Sequence, residues 1–148
     1  EQKSWEGMVW ADVRYVRFRD RGGAPMGDVE VARQMESDLE AQLRWAEEAC
    51  DVRAVLAVTH HLAFSEAVFR THTLPWEFFN AYMGSRELGR VISRNSKVRA
   101  AVYGHTHHPG RAVVEGFEVV GTPLGYPRER KRMSEADVVA TRVNWLQV

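Results

Sequence analysis

Val98-Arg99-Ala100-Ala101-Val102-Tyr103-Gly104-His105-Thr106-His107-His108 decides the reading of this chain. A largely apolar, partly β-branched run ends in a glycine and three histidines. The same pattern occurs upstream, where Val55-Leu56-Ala57-Val58 is followed by Thr59-His60-His61. Short apolar runs after helical segments predict buried, parallel-type strands. In open α/β sheets, ligands bind beyond the carboxyl ends of such strands. All six histidines lie between His60 and His108, and five of them occupy these two clusters. Imidazole is the commonest side-chain ligand for borderline cations, so two strand tips bearing histidines point to a metal site.

Working outward, residues 29–50 place Met35, Leu39, Leu43, Ala46 and Cys50 every three or four positions, which predicts an amphipathic helix. Ser85 is a suitable N-cap for a second helix over residues 85–95. Between the histidine clusters, residues 62–83 read as a loop with short helical pieces, and Pro75 suits a first helical turn. Residues 111–115 and 117–120, joined around Glu115-Gly116, predict a hairpin. Residues 10–18, rich in Val, Tyr and Phe, predict a strand, and the alternation over residues 138–146 predicts a last one. Trp5, Trp10, Trp45 and Trp145 are expected to pack, and Cys50 to be buried. The sum is an α/β fold, read as a single domain over residues 1–148.

With 148 residues the chain has room for one ordinary core. Its 20 basic and 20 acidic residues cancel, so no electrostatic signal favours nucleic acid. A single cysteine excludes an internal disulfide, and no apolar run approaches membrane-spanning length. No targeting segment is visible, and a cytoplasmic location is expected. The basic run Arg128, Arg130, Lys131, Arg132 reads as a solvated surface.

His105 and His107, two apart in an extended segment, can point to one side and ligate one metal or two neighbouring ones. Gly104 lets the backbone bend close to the site. Successive strand residues point oppositely, so one of His60 and His61 is expected as a ligand. The other then orients it or faces substrate. His72 and His108 read as loop histidines, with His108 near enough to line a cleft and touch substrate. The competing readings are a plain polar loop for His105 and His107 and a hydrogen-bonded structural pair for His60 and His61.

These motifs resemble the last two metal-binding motifs of calcineurin-like metallophosphoesterases. Asn80-Ala81-Tyr82-Met83-Gly84-Ser85 and Gly121-Thr122-Pro123-Leu124-Gly125-Tyr126-Pro127 also look like stretches of bacterial members. The resemblance implies the C-terminal half of a four-layer α/β/β/α sandwich. It implies His60, His105 and His107 as metal ligands, with His61 behind them in a supporting catalytic role. The cofactors would be two divalent or trivalent transition metal ions (Mn, Fe or Zn), and the substrate a phosphate ester, mono- or diester. The family's earlier motifs, Asp-x-His, Gly-Asp-x-x-Asp and Gly-Asn-His-Asp or -Glu, have no counterpart. The expected partner is therefore the N-terminal half of the same enzyme, as a separate or missing segment, which agrees with a start at Glu1. Such a half-fold should expose an apolar flank. An inactive phosphoesterase-like scaffold and a single-metal module using His60, His105 and His107 are the alternatives.

Overall fold

The computed structural model describes residues 4–5, 7–9 and 12–146. Its organising element is a four-stranded sheet built from β3 (Val55–Thr59), β4 (Val98–Tyr103), β5 (Gly110–Val114) and β6 (Phe117–Gly121), in the order β3-β4-β6-β5. β3 and β6 flank β4 in parallel, and β5 runs antiparallel to β6. The carboxyl ends of β3, β4 and β6 therefore meet at one edge. Two-residue strands β1 (Ser4–Trp5) and β2 (Met8–Val9) form a separate ribbon. The β5–β6 turn uses Glu115 at φ +48° and Gly116 at φ +93°, the pair of positive values a two-residue hairpin turn with native twist requires.

One face of the sheet carries Ala57, Ala101, Tyr103 and Val119, and packs against α2 (Asp28–Glu48) and α4 (Arg86–Ser93) through Leu43, Leu88 and Ile92. α2 starts where the Glu30 carboxylate accepts the Gly27 N–H, and α4 where Ser85 Oγ accepts the Glu87 N–H. Only the second half of α2 reaches the core: Leu43 and Ala46 are buried, while Val29 and Met35 stay half exposed. Buried Asn95 ties the layers together, its amide donating to the Leu43 carbonyl at 2.7 Å and its oxygen accepting the Lys97 N–H at 3.0 Å. Asn95→Ala would remove both bonds, and with them the tie between α2 and the turn before β4. We expect a loss of about 1–3 kcal/mol, read from the urea midpoint.

The opposite face is less covered. Ala100 and Val120 are buried there, but Leu56 is 46% and Val58 68% exposed, and Val113 is also exposed. Leu56 and Val58 lie on β3, which is an outermost strand of the sheet.

Two expected strands are corrected. Residues 12–15 form the short helix α1 (Asp12–Tyr15), and Tyr15 is exposed, so its β-favouring side chain finds no sheet face to pack on. Residues 10 and 11 lie outside the described residues. Over residues 138–146 the chain instead forms α5 (Glu135–Arg142) and an irregular tail. Ser134 Oγ accepts the Asp137 N–H while the Asp137 carboxylate accepts the Ser134 N–H, and this reciprocal cap starts a helix that the alternating pattern hides. Cys50 is exposed, not buried. Trp45 (68%) and Trp145 (88%) also face outward rather than packing, and the side chains of Trp5 and Trp10 lie outside the described residues. α3 (Leu74–Asn80) carries Pro75 in its first turn as expected. No helix among the described residues is long and apolar enough to cross a membrane.

Candidate metal centre at the carboxyl edge of the sheet

The two histidine clusters meet because the β3–β4 ladder continues past both strands. Thr59 pairs with Tyr103, and the Gly104 N–H then donates to the His60 carbonyl at 3.1 Å. A Cβ at Gly104 would meet His60 Nδ1 at 3.4 Å, an ordinary van der Waals contact, so the approach of the two segments does not itself demand glycine. Immediately afterwards the Thr106 N–H donates to the Gly104 carbonyl at 2.7 Å, and His105 between them has φ +61°. That is a γ-turn of the strained, positive-φ kind. A non-glycine residue held there is an outlier of the sort that clusters at functional sites. The turn swings the His105 ring back over β3.

As a result His105 Nδ1 and His60 Nε2 lie 3.1 Å apart, their rings crossing at 71° with centroids at 5.0 Å. His61 joins them, with centroids 4.8 Å from His105 and 5.3 Å from His60. Strand alternation would have sent His61 to the other side. It does not apply because β3 stops at Thr59, whose hydroxyl donates to the His61 carbonyl at 2.7 Å and bends the chain. His60 is exposed, and His61 and His105 are half-buried.

His107 is placed differently. Its Nδ1 lies 3.0–3.1 Å from the Glu129 carboxylate, and the Tyr126 ring meets it edge-on at 4.3 Å. Glu129 also accepts the Tyr126 N–H at 2.8 Å, which starts a 3-10 turn at Pro127–Arg130. The hydrogen bond from His107, then that from Tyr126, holds the Glu129 carboxyl below the usual glutamate range. An ionised carboxylate at Nδ1 requires that nitrogen to carry the proton, which leaves Nε2 as the lone-pair side. The sequence reading passed over Glu129, which sits inside a run that reads as basic surface. A carboxylate two residues beyond a Gly-Tyr-Pro turn was the one available signal. His108 stacks on Phe69 at 3.9 Å with Trp76 edge-on at 5.5 Å, the Trp76 indole N–H donating to the Phe69 carbonyl. His72 is exposed with φ +58°.

The donor set fits a metal in part. Two nitrogens bound to one ion at ~2.0–2.1 Å lie roughly 2.9–3.4 Å apart for octahedral to tetrahedral angles, and the His60–His105 separation falls in that window. Among the described residues, however, no group of three or more His, Cys, Asp or Glu is arranged to hold an ion. At 3.1 Å the two nitrogens are in hydrogen-bond contact, and they would supply one edge of a coordination sphere, not a whole one.

Fold and site together define an α/β chain with an imidazole cluster at the carboxyl edge of a parallel sheet. No protein-family model matches it, and no curated protein matches it either. Among solved structures it is similar to a phosphopantetheinyl hydrolase from Mycobacterium tuberculosis, with a TM-score of 0.58 and 20% identity, over 88% of this chain and 42% of that one. At that identity the likeness shows the fold alone, and this chain spans well under half the length of its neighbour. These findings correct the family expectation: no family model supports calcineurin-like membership, and the neighbour found is described as a phosphopantetheinyl hydrolase.

The Glu129 contact carries its own test. Glu129→Gln keeps the shape but removes the charge that fixes the ring. By nitrogen-detected NMR, His107 should pass from one tautomer, protonated at Nδ1, to a mixture. If His107 is a ligand, metal affinity should fall about 10- to 100-fold.

Proposed function

We propose that this chain supplies the histidine-bearing part of a metal-dependent hydrolase acting on a phosphate ester. The observation that carries the reading is the 3.1 Å approach of His60 Nε2 and His105 Nδ1 at the sheet's carboxyl edge. The hydrolase name of the fold neighbour agrees with it. His60 and His105 would hold one ion, and His107, with Nδ1 engaged by Glu129, would offer Nε2 to a second. Metals so held polarise phosphoryl oxygens and acidify water. His61, beside both imidazoles, faces the substrate and can exchange a proton with it.

Neutral imidazoles bring no negative charge to a pair of cations, so carboxylate ligands must come from elsewhere. In our reading they come from an N-terminal half of the same enzyme, whose strands would cover Leu56 and Val58 on the open face and complete a four-layer sandwich. A 42% share of the neighbour's length leaves room for such a half. A single-metal module is the second reading, favoured by the lack of any three-ligand group among the described residues.

Equilibrium dialysis against Mn(II) or Zn(II), paired with hydrolysis of a chromogenic phosphodiester, separates them. The chain is assayed alone and joined to the proposed N-terminal half. Two ions and turnover only in the joined form support the hydrolase. One ion with no turnover in either form supports the module, and no ion in either leaves an inactive scaffold. Chelation of the joined form should abolish turnover, and added metal should restore it.

A further inference from the structure

Beside the histidines the chain encloses a cleft of about 610 Å³, within the usual size range of small-molecule sites. His61 lines it, while its neighbours His60 and His105 do not. The walls are mostly apolar, with Phe18 from the segment before α2, Val29 and Met35 from the exposed first half of α2, and Tyr82 and Leu88 from the other side, and the charged Arg17, Asp28, Arg33 and Glu36 also reach the lining. Val29, Met35 and Phe18 are each between 42% and 49% exposed. These apolar side chains thus line a concavity without filling a core. The floor is held by Ser85, whose hydroxyl donates to Glu36 at 2.9 Å and so locks the α4 start to α2. An apolar, pre-formed groove that runs into a polar cluster is the usual anatomy of a site for an amphipathic small molecule.

We propose that this cleft holds the organic side of the substrate, an extended apolar chain esterified to the phosphate that the histidine end receives. The proposal rests on the phosphate-ester reading above and adds the substrate class. Three features of the cleft carry it: continuity with His61, apolar walls, and room for a chain of many methylenes. A bare phosphate or a short polar ester would leave those walls in water.

The test is calorimetric binding of n-alkyl phosphonates, from methyl to octyl, to the full chain alone and, in Mn(II), to the form joined to the N-terminal half. Affinity should rise about fourfold for each added methylene that enters the cleft. Ala32→Trp, which fills the cleft from an exposed α2 position, should flatten that series, and Phe18→Ser should weaken it. Circular dichroism and melting curves verify that each variant is folded. Methyl phosphonate that binds while longer chains bind no tighter would overturn this inference and leave the hydrolase reading standing. n-Alkyl alcohols that bind as tightly as phosphonates of the same length would overturn both, since the phosphate would then contribute nothing. Loss of the length dependence once the N-terminal half is joined would show that this half fills the cleft, and would overturn the inference.

Discussion

His105→Gly should leave the protein at least as stable as the wild type and, on the hydrolase reading proposed above, empty the proposed metal site. A left-handed backbone costs a non-glycine residue roughly 1–2 kcal/mol, and His105 bears that at φ +61°. Glycine adopts the conformation freely but adds freedom to the unfolded chain, at roughly 0.4–1 kcal/mol. The balance is a gain of roughly 0–1.6 kcal/mol, read as a higher urea midpoint. Metal affinity should move the other way, because one of the two nitrogens of the His60–His105 edge is gone. Loss of a direct ligand should exceed the roughly 10- to 100-fold effect of losing a supporting partner, with hydrolysis by the joined form falling in step. Residues kept in strained conformations at the expense of stability mark function, whereas a packing histidine would destabilise on removal. A His105→Gly protein that is less stable by more than about 1 kcal/mol and still binds metal would refute the assignment.

Why some of this was legible and some not follows from the range of the forces involved. β3 and β4 were readable because Val55, Val58, Val98 and Val102 sit in runs short enough for strands and flanked by helical periodicity. Ser85 announced α4 because a cap is a contact two residues long. The tip geometry needed more. Thr59 reaching the His61 carbonyl reverses a side chain that alternation assigns to the other face, and nothing in a period of two encodes that. The His107–Glu129 pair spans 22 residues of hairpin and loop, so it exists only once β5 and β6 have folded. At the C-terminus two local signals competed. Val139, Thr141, Val143 and Trp145 alternate, yet Ser134 and Asp137 cap each other, and the cap prevails because it is satisfied within four residues, whereas pairing needs a strand edge brought from elsewhere in the chain. Trp45 and Trp145 show the same principle in packing. Their size predicts burial, but burial requires a facing surface, and the described residues do not provide one.

Gly84→Ala is expected to be the most destabilising single methyl in the chain. Leu62, next to His61, donates its N–H to the Met83 carbonyl at 3.0 Å and accepts the Ser85 N–H at 3.1 Å, forming an isolated parallel bridge opposite Gly84. The two backbones approach so closely that a Cβ on Gly84 would lie 1.8 Å from the Leu62 oxygen and 2.6 Å from its carbonyl carbon. Neither atom belongs to a flexible side chain, and Leu62 is locked in the core at 3% exposure. The bridge must open, which breaks both hydrogen bonds and lifts Leu62. Overpacking of this kind costs about 1–3 kcal/mol and occasionally more, and the two lost bonds place Gly84→Ala at the upper end. Gly22→Ala, whose added methyl meets only the Asp20 side chain at 3.4 Å, should stay within about 0.5 kcal/mol of wild type. Urea denaturation of both variants measures the difference. Because Leu62 anchors His61 and Ser85 locks the cleft floor, Gly84→Ala should also weaken metal and alkyl phosphonate binding together. Equal midpoints for the two variants would mean that residues 82–85 are not seated against Leu62, and the cleft wall would lose its support.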